Sequence, residues 1–466
     1  MKEDLLAAIL EERNPWWKDP RIRPAREKNW IFHRSIYSEL LEHMLSEEKR
    51  ALVLRGPRQV GKTVLLLQVV DDLLEKVGIP PRNLVFFDFS DDRLYSEISP
   101  RDVVDACSRS GHRDFPFFFF LDEITKAEKW SEWLKQAVDW TRHRFLVTDS
   151  SASLLREGKG ESGPGRWDTK ILEPLNFREF LGLVSGRKGR WEDLLMEDPA
   201  LPELYLLLGG FPEHARRDVD EVKAIERIRE DLASRVVARD LARSVGEPEE
   251  LVRLFSLLVQ ESGAILNVDG LRSVIGGSPN TIKKWLALLE DSLLLHRLQA
   301  WSLKAGNRVR KQPRLYAADP GIISAFHAGE KQERRGKAFE AALFRHLREA
   351  KGRLGEEFGL AGLELFFFRT KNQEREVDFV LHGEDGLLAL EVTSSTPDGE
   401  KRSRLLKGVE ALKENSGARN VRALLVHGGE LERADETGRA LPLWKFLLRP
   451  EEVLLEEWKE LKGGKG

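Results

Sequence analysis

Between residues 51 and 72 an apolar run, a glycine-bracketed loop and an amphipathic run follow directly on one another: ALVLRG, PRQV, GKTVLLLQVVDD. Gly56 and Gly61 enclose Pro57, Arg58, Gln59 and Val60, and Lys62 and Thr63 follow at once, which is the full phosphate-loop pattern. Its chemistry comes from the backbone. Glycine permits the turns that aim successive N–H groups at one point, and the start of the next helix adds partial positive charge there. Lys62 is expected on the β- and γ-phosphates of ATP, and the Thr63 hydroxyl on Mg²⁺. A strand feeding such a loop into a helix belongs to an open parallel sheet covered on both faces, so the pattern predicts an α/β fold.

The neighbouring sequence fits that sheet. Runs at 84–89, 116–121, 144–148 and 170–174 read as its other strands, and the phenylalanine run FPFFFF needs no membrane, because a buried parallel strand is apolar on both faces. That run ends in Asp122 and Glu123 at the carboxyl edge of the sheet, where open α/β sheets bind ligands. Asp122 is expected to hold Mg²⁺ through water and Glu123 to polarise the attacking water, so the pair points to hydrolysis. Thr148, Ser150 and Ser151, at the end of the next strand, are candidates for sensing the γ-phosphate. Arg166, in the glycine-rich GESGPGRW, reads two ways: a solvated side chain, or an arginine that enters a neighbouring subunit's site, which requires an oligomer.

A chain of 466 residues exceeds one ordinary core. The division expected is 1–45, a helical Trp/Pro-rich segment; 46–198, the phosphate-loop domain; 199–330, helical; and 331–466, a second α/β module. Apolar residues at 41% with charged residues at 33%, and no uncharged apolar run of spanning length, argue for a cytoplasmic chain without membrane contact. The single Cys107 excludes an internal disulfide.

Within the helical part, three helical runs and a strand pair give a winged-helix-like order, with SPNTIKKWLALLEDS as recognition helix and Ser278 as its N-cap. A net charge of −3 hides the basic stretch 304–314. Lys283, Lys284, Arg308, Arg310 and Lys311 are therefore candidate DNA contacts, a solvated face being the alternative.

Near the C-terminus, EVDFVLHGEDGLLALEVT reads as a hairpin centred between Glu384 and Asp385. Pairing outward sets Asp378 opposite Glu391 and Glu376 opposite Thr393, all on one face. Like charges across a ladder repel, so a divalent metal or an Arg or Lys is expected between them.

On these residues the chain resembles a family of archaeal and bacterial AAA-superfamily ATPases with a C-terminal domain of uncertain function. The motifs that carry the resemblance are NPWW (14–17), RGPRQVGKT (55–63), FFFFLDEI (117–124), VTDSS (147–151), EPLNFREFL (173–181), LLGGFPE (207–213), LYAADPGI (315–322) and EVDFVL…LEVTSS (376–395). The resemblance implies a P-loop core of the additional-strand, catalytic-glutamate type, a winged-helix-like middle, a restriction-endonuclease-like C-terminal fold and ring assembly, commonly hexameric.

Two departures stand out. Asp149 replaces a usual glycine. The terminal acids resemble a nuclease core, with Glu340 as the extra helical acid beside Asp378 and Glu391, yet Thr393 stands where that core has lysine. The nuclease site therefore reads as vestigial, with Lys401 or Lys407 as the only substitutes in view. The function expected is a Mg²⁺-dependent, ring-forming ATPase acting on structured or branched DNA, the alternative being an ATP-driven switch on a protein partner.

Overall fold

The computed structural model describes residues 2–463 apart from 29, 31, 95–97, 109–110, 113–114, 151–164, 188, 216–219, 242–245, 305, 307, 309–310, 361, 371, 398, 419 and 436–437. The chain divides into two compact units, Met1–Glu173 with Asp291–Leu293, and Pro174–Glu290 with Leu294–Gly466. No described helix is long and apolar enough to cross a membrane.

The first unit is built on β1 (Ala51–Gly56), β2 (Leu84–Asp88), β3 (Phe118–Asp122), β4 (Arg144–Ser150) and β5 (Trp167–Ile171), in the order β2-β3-β4-β1-β5. All neighbours run parallel, and β4 is the additional strand between β1 and β3. The fifth strand starts and stops three residues earlier than the expected 170–174. Its last tie to β1 is Leu172 N–H to Arg55 O, 2.6 Å, and Pro174 has no N–H with which to continue.

Helix α1 (Lys2–Arg13) places Leu6, Ile9 and Leu10 in the same core as Val85, Phe119 and Val147, so residues 1–45 do not form a separate part. The NPWW stretch has a definite task. Strand β2 is an edge, and its outward backbone groups are taken by side chains: Asn14 Oδ1 accepts from Phe86 N (2.7 Å), its Nδ2 donates to Phe86 O (2.9 Å), and the indoles of Trp16 and Trp17 donate to Leu84 O. An edge so covered offers no template to another chain.

In the second unit β6 (Leu295–Ala300), β7 (Arg314–Ala317), β8 (Glu364–Arg369), β9 (Glu376–Gly383), β10 (Gly386–Thr393), β11 (Val421–His427), β12 (Arg433–Asp435) and β13 (Gly438–Pro442) form one sheet, ordered β12-β13-β11-β10-β9-β8-β6-β7. The boundary expected near 330 does not separate two cores. Strand β6 pairs in parallel with β8 at Gln299↔Phe366 and Ala300↔Phe367, so the hairpin that ends the helical part completes the sheet of the α/β part. Before it come Pro248–Gln260, Val268–Ile275 and Pro279–Asp291, the expected three helices in sequence order. Two long helices follow β7: α2 (Lys331–Glu357) and, after β10, α3 (Gly399–Ser416).

Three of the family-like motifs meet at one buried junction in this unit. Leu175 N–H donates to Gly210 O (2.6 Å), while the carboxylate of Asp319 accepts from Gly210 N (2.8 Å) and Gly321 N (2.9 Å). Gly209 has φ +71°, and a Cβ there would lie 1.7 Å from Asp319 Oδ1, so no other residue fits. Phe177 N–H donates to His346 Nε2 on α2 (3.0 Å), and Asn176 to Glu349 (2.9 Å). Burial pushes the Asp319 carboxyl up to about 6, opposed by the two N–H donors. These motifs lock the fold.

Candidate functional site

At the carboxyl end of β1 the loop rises into the helix Lys62–Asp72, with Gly61 at φ +94° and Gln59 at φ +66°. A Cβ on Gly56 would sit 2.4 Å from Leu172 O, so the loop leaves the strand through a gap only glycine passes. The buried Lys62 Nζ donates to Gly56 O (2.9 Å) and Pro57 O (3.0 Å), two carbonyls of the loop itself. Burial pushes the ammonium down from the usual lysine range, against the pull of the Glu123 and Asp122 charges.

Across from it, Asp122 accepts two hydroxyls: Thr63 Oγ1 on Oδ2 and Thr148 Oγ1 on Oδ1, both at 2.5 Å. Thr148 in turn accepts from Glu123 N (2.9 Å), and Glu123 is held in the left-handed region at φ +52°. Burial and the neighbouring Glu123 charge push the Asp122 carboxyl up to about 6, while the hydroxyl donors oppose the rise. A hydroxyl and a carboxylate in contact suit a hard cation that completes its octahedron with water and phosphate. Thr63 and Asp122 therefore fit Mg²⁺, which would draw charge from the phosphates and restore a fully ionised Asp122.

Thr148 is the hydroxyl that touches the acid pair. Ser150 pairs through its backbone with Gly56, and Ser151 lies outside the described residues. The departure at Asp149 has a partner: β1 and β4 align Arg55 with Asp149, and Arg55 Nε lies 3.2 Å from its carboxylate. Arg166 precedes Trp167, which is paired with Ala51 at the start of β1. It therefore sits at the opposite end of the sheet, about 17 Å along the strand from the loop, and pairs with Asp139 at 3.3 Å.

The second acidic centre lies on the sheet of the second unit. The observed pairs Leu387↔His382 to Leu390↔Phe379 give the expected register, and its next step outward sets Glu391 against Asp378. The positive charge among these acids is Arg314, from β7. Its Nη2 bonds Glu376, while Nη1 lies 3.7 Å from Asp378 and 4.0 Å from Glu340, and its guanidinium covers the Phe367 ring. Arg369 and Arg404 pair with Glu376 and Glu391, at 3.3 and 3.1 Å. Tyr316 donates to Glu340 Oε1 (2.7 Å).

Burial first, then Asp378, pushes the Glu340 carboxyl up to about 7. Asp378 and Glu391 are also raised, chiefly by burial. Among the described side chains of α3, Arg404 reaches Glu391 and Lys407 is exposed, while the Lys401 side chain lies outside those described. An arginine keeps its proton and cannot take one from water as the missing lysine could.

Arg314 was hidden in the basic stretch. The signal available was alternation: Arg314 and Tyr316 lie two apart on a strand and so face the same way. Others of that stretch are also used inside the unit. Arg308 pairs with Glu364 (2.9 Å) and stacks on Phe366, and Lys311 donates to Trp301 O (3.2 Å). Arg310 lies outside the described residues. Lys283 and Lys284 are exposed near the start of their helix, where Ser278 Oγ accepts from Thr281 N (3.1 Å).

The strand order with its inserted β4, the phosphate loop and the acid pair define a P-loop domain of the AAA type, and residues 48–181 match the family described as AAA domain. Residues 200–333 and 335–446 match two domains of unknown function, DUF8612 and DUF4143. The chain is similar to an uncharacterized protein of Haemophilus influenzae, 23% identical over 356 residues covering 74% of this chain and 83% of the relative. Another, from Methanocaldococcus jannaschii, is 24% identical over 369 residues covering 77% of each. Among solved structures, DnaA bound to AMPPCP and single-stranded DNA aligns with 56% of this chain and 91% of its own at 11% identity and a TM-score of 0.28. The Saccharomyces cerevisiae Hsp104–ADP complex aligns with 58% and 52% at 15% identity and a TM-score of 0.31.

Proposed function

We propose that the protein is a Mg²⁺-dependent ATP hydrolase whose second unit docks DNA without cutting it. The observation that carries the reading is the Lys62, Thr63, Asp122, Thr148 and Glu123 constellation, in which Lys62 donates to two loop carbonyls, Thr63 and Thr148 donate to the Asp122 carboxylate and Thr148 accepts from Glu123 N, contacts that a nucleotide and its metal can replace. Lys62 would exchange loop carbonyls for phosphate oxygens, Thr63 and Asp122 would hold Mg²⁺, and Glu123 would orient water. Arg166, remote from its own loop, acts on a neighbouring subunit in a ring, a hexamer being favoured. Exposed Lys283 and Lys284 support DNA contact, by phosphate neutralisation more than by base reading. The C-terminal acids do not cleave, because Thr393 and Arg404 supply no base.

A second reading, a cytoplasmic ATP-driven switch on a protein partner, is favoured by the inward use of Arg308 and Lys311, which leaves less charge for a phosphate backbone. The test is ATP turnover with Mg²⁺, alone and with single-stranded, duplex and four-way-junction DNA, against Glu123→Gln. Stimulation by one DNA form, steeply reduced by salt, supports the DNA reading. Turnover indifferent to all DNA forms at low salt overturns it in favour of the switch, and turnover equal in Glu123→Gln overturns the hydrolase.

A further inference from the structure

The nuclease resemblance implies a divalent cation held by Glu340, Asp378 and Glu391, and the residues present do not fit one. A bound cation of that kind sits about 2.0–2.6 Å from each oxygen, so it must share the space between the Glu340 and Asp378 carboxylates. Arg314 Nη1 is already within 4.0 Å of both. We propose that Arg314 is the resident counter-ion of this centre and that its guanidinium keeps divalent cations out of it.

Several features hold the side chain in place. Arg314 is 6% exposed, its backbone is paired with Leu298, its Nη2 is bonded to Glu376, and its planar face covers Phe367. Leaving would strip a buried charge of its partners, which is costly, and an arginine has no neutral form in which to leave. Among the described residues, Arg369 and Arg404 join Arg314 on Glu340, Glu376, Asp378 and Glu391, so a further double charge is not called for. Because Arg314 comes from the segment matched to one domain of unknown function and the acids from the other, the centre fastens one to the other within the unit.

The inference rests on reading the second unit as non-cleaving, and its test uses neither nucleotide nor DNA, so it fails separately from the ATPase reading. Mn²⁺ binding to the full chain is measured by equilibrium dialysis for the parent, Asp378→Asn, Arg314→Gln and the double variant. The expected result is identical binding by the parent and Asp378→Asn, one additional site per chain in Arg314→Gln, and loss of that site in the double variant. A parent site abolished by Asp378→Asn overturns the proposal, as does a folded Arg314→Gln chain that gains none. Should Arg314→Gln not fold, the parent and Asp378→Asn pair decides alone.

Discussion

The two acidic centres answer the same physical problem in opposite ways. Each crowds carboxylates where water is scarce. In the first unit the nearby cation, Lys62, donates to two loop carbonyls and feels the pull of the Glu123 and Asp122 charges, while Asp122 accepts two hydroxyls. In the second unit an arginine is placed among the acids and charge meets charge within the chain. A centre of the first kind has exchangeable partners and suits a ligand that comes and goes. One of the second kind is already neutralised and contributes to architecture.

The largest effect expected belongs to the first centre. Glu123→Gln should lower ATP turnover by about 10²–10⁴-fold, the usual worth of a positioned general base, while nucleotide binding, followed by fluorescence, persists. Undiminished turnover would make this centre as inert as the other. Next, Arg314→Met should cost the second unit about 3–5 kcal/mol in urea unfolding near neutral pH, as for a broken buried ion pair, and adding Glu376→Gln should restore part of it. Lys62→Met, by contrast, should cost less, about 1–3 kcal/mol, the usual range when buried acceptors such as the Gly56 and Pro57 carbonyls lose a donor. Equal costs at the two positions would erase the distinction.

A smaller effect comes from protons. The Glu340 carboxyl is pushed from its ordinary 4.5 up to about 7 by burial and by Asp378. The folded chain thus holds that proton more tightly than the unfolded one. The stabilisation is complete below the unfolded value and is lost as pH rises through about 7. Glu340→Gln should therefore flatten the fall in unfolding free energy across this window, by about 1 kcal/mol for a part-exposed group. A parent whose stability is flat there would show that the centre is solvated, not closed. The smallest effect is expected at Asp149→Asn, about 1 kcal/mol of stability or less, from loss of a charge-assisted contact with the part-exposed Arg55, with turnover little changed. A large loss of turnover would instead place Asp149 in the nucleotide site.

Much of the first centre was legible because its motif is local: four fixed residues within the eight positions 56–63 name the loop, and one strand ends in both acids. Thr148 was harder to single out from Ser150 and Ser151, since only the alignment of β3 with β4 decides which hydroxyl meets Asp122. The hairpin register at Asp378 and Glu391 followed from a short turn and a period of two. Its counter-ion did not, because Arg314 lies far off in sequence and looked like one more charge in a basic stretch. The resemblance motifs around Leu175, Gly209 and Asp319 gave no hint of their structural task, since each supplies only a fragment of a shared hydrogen-bonded junction.

By itself, then, the sequence determined the phosphate loop, the acid pair that ends the third strand, the parallel α/β core and the face shared by the terminal acids, all consequences of short-range geometry and period. Only the tertiary structure decided that NPWW seals an edge strand, that the middle and C-terminal parts share one sheet, and that an arginine stands where a metal was in question. Those outcomes depend on which strands become neighbours, and that choice is made by burial summed over the whole unit.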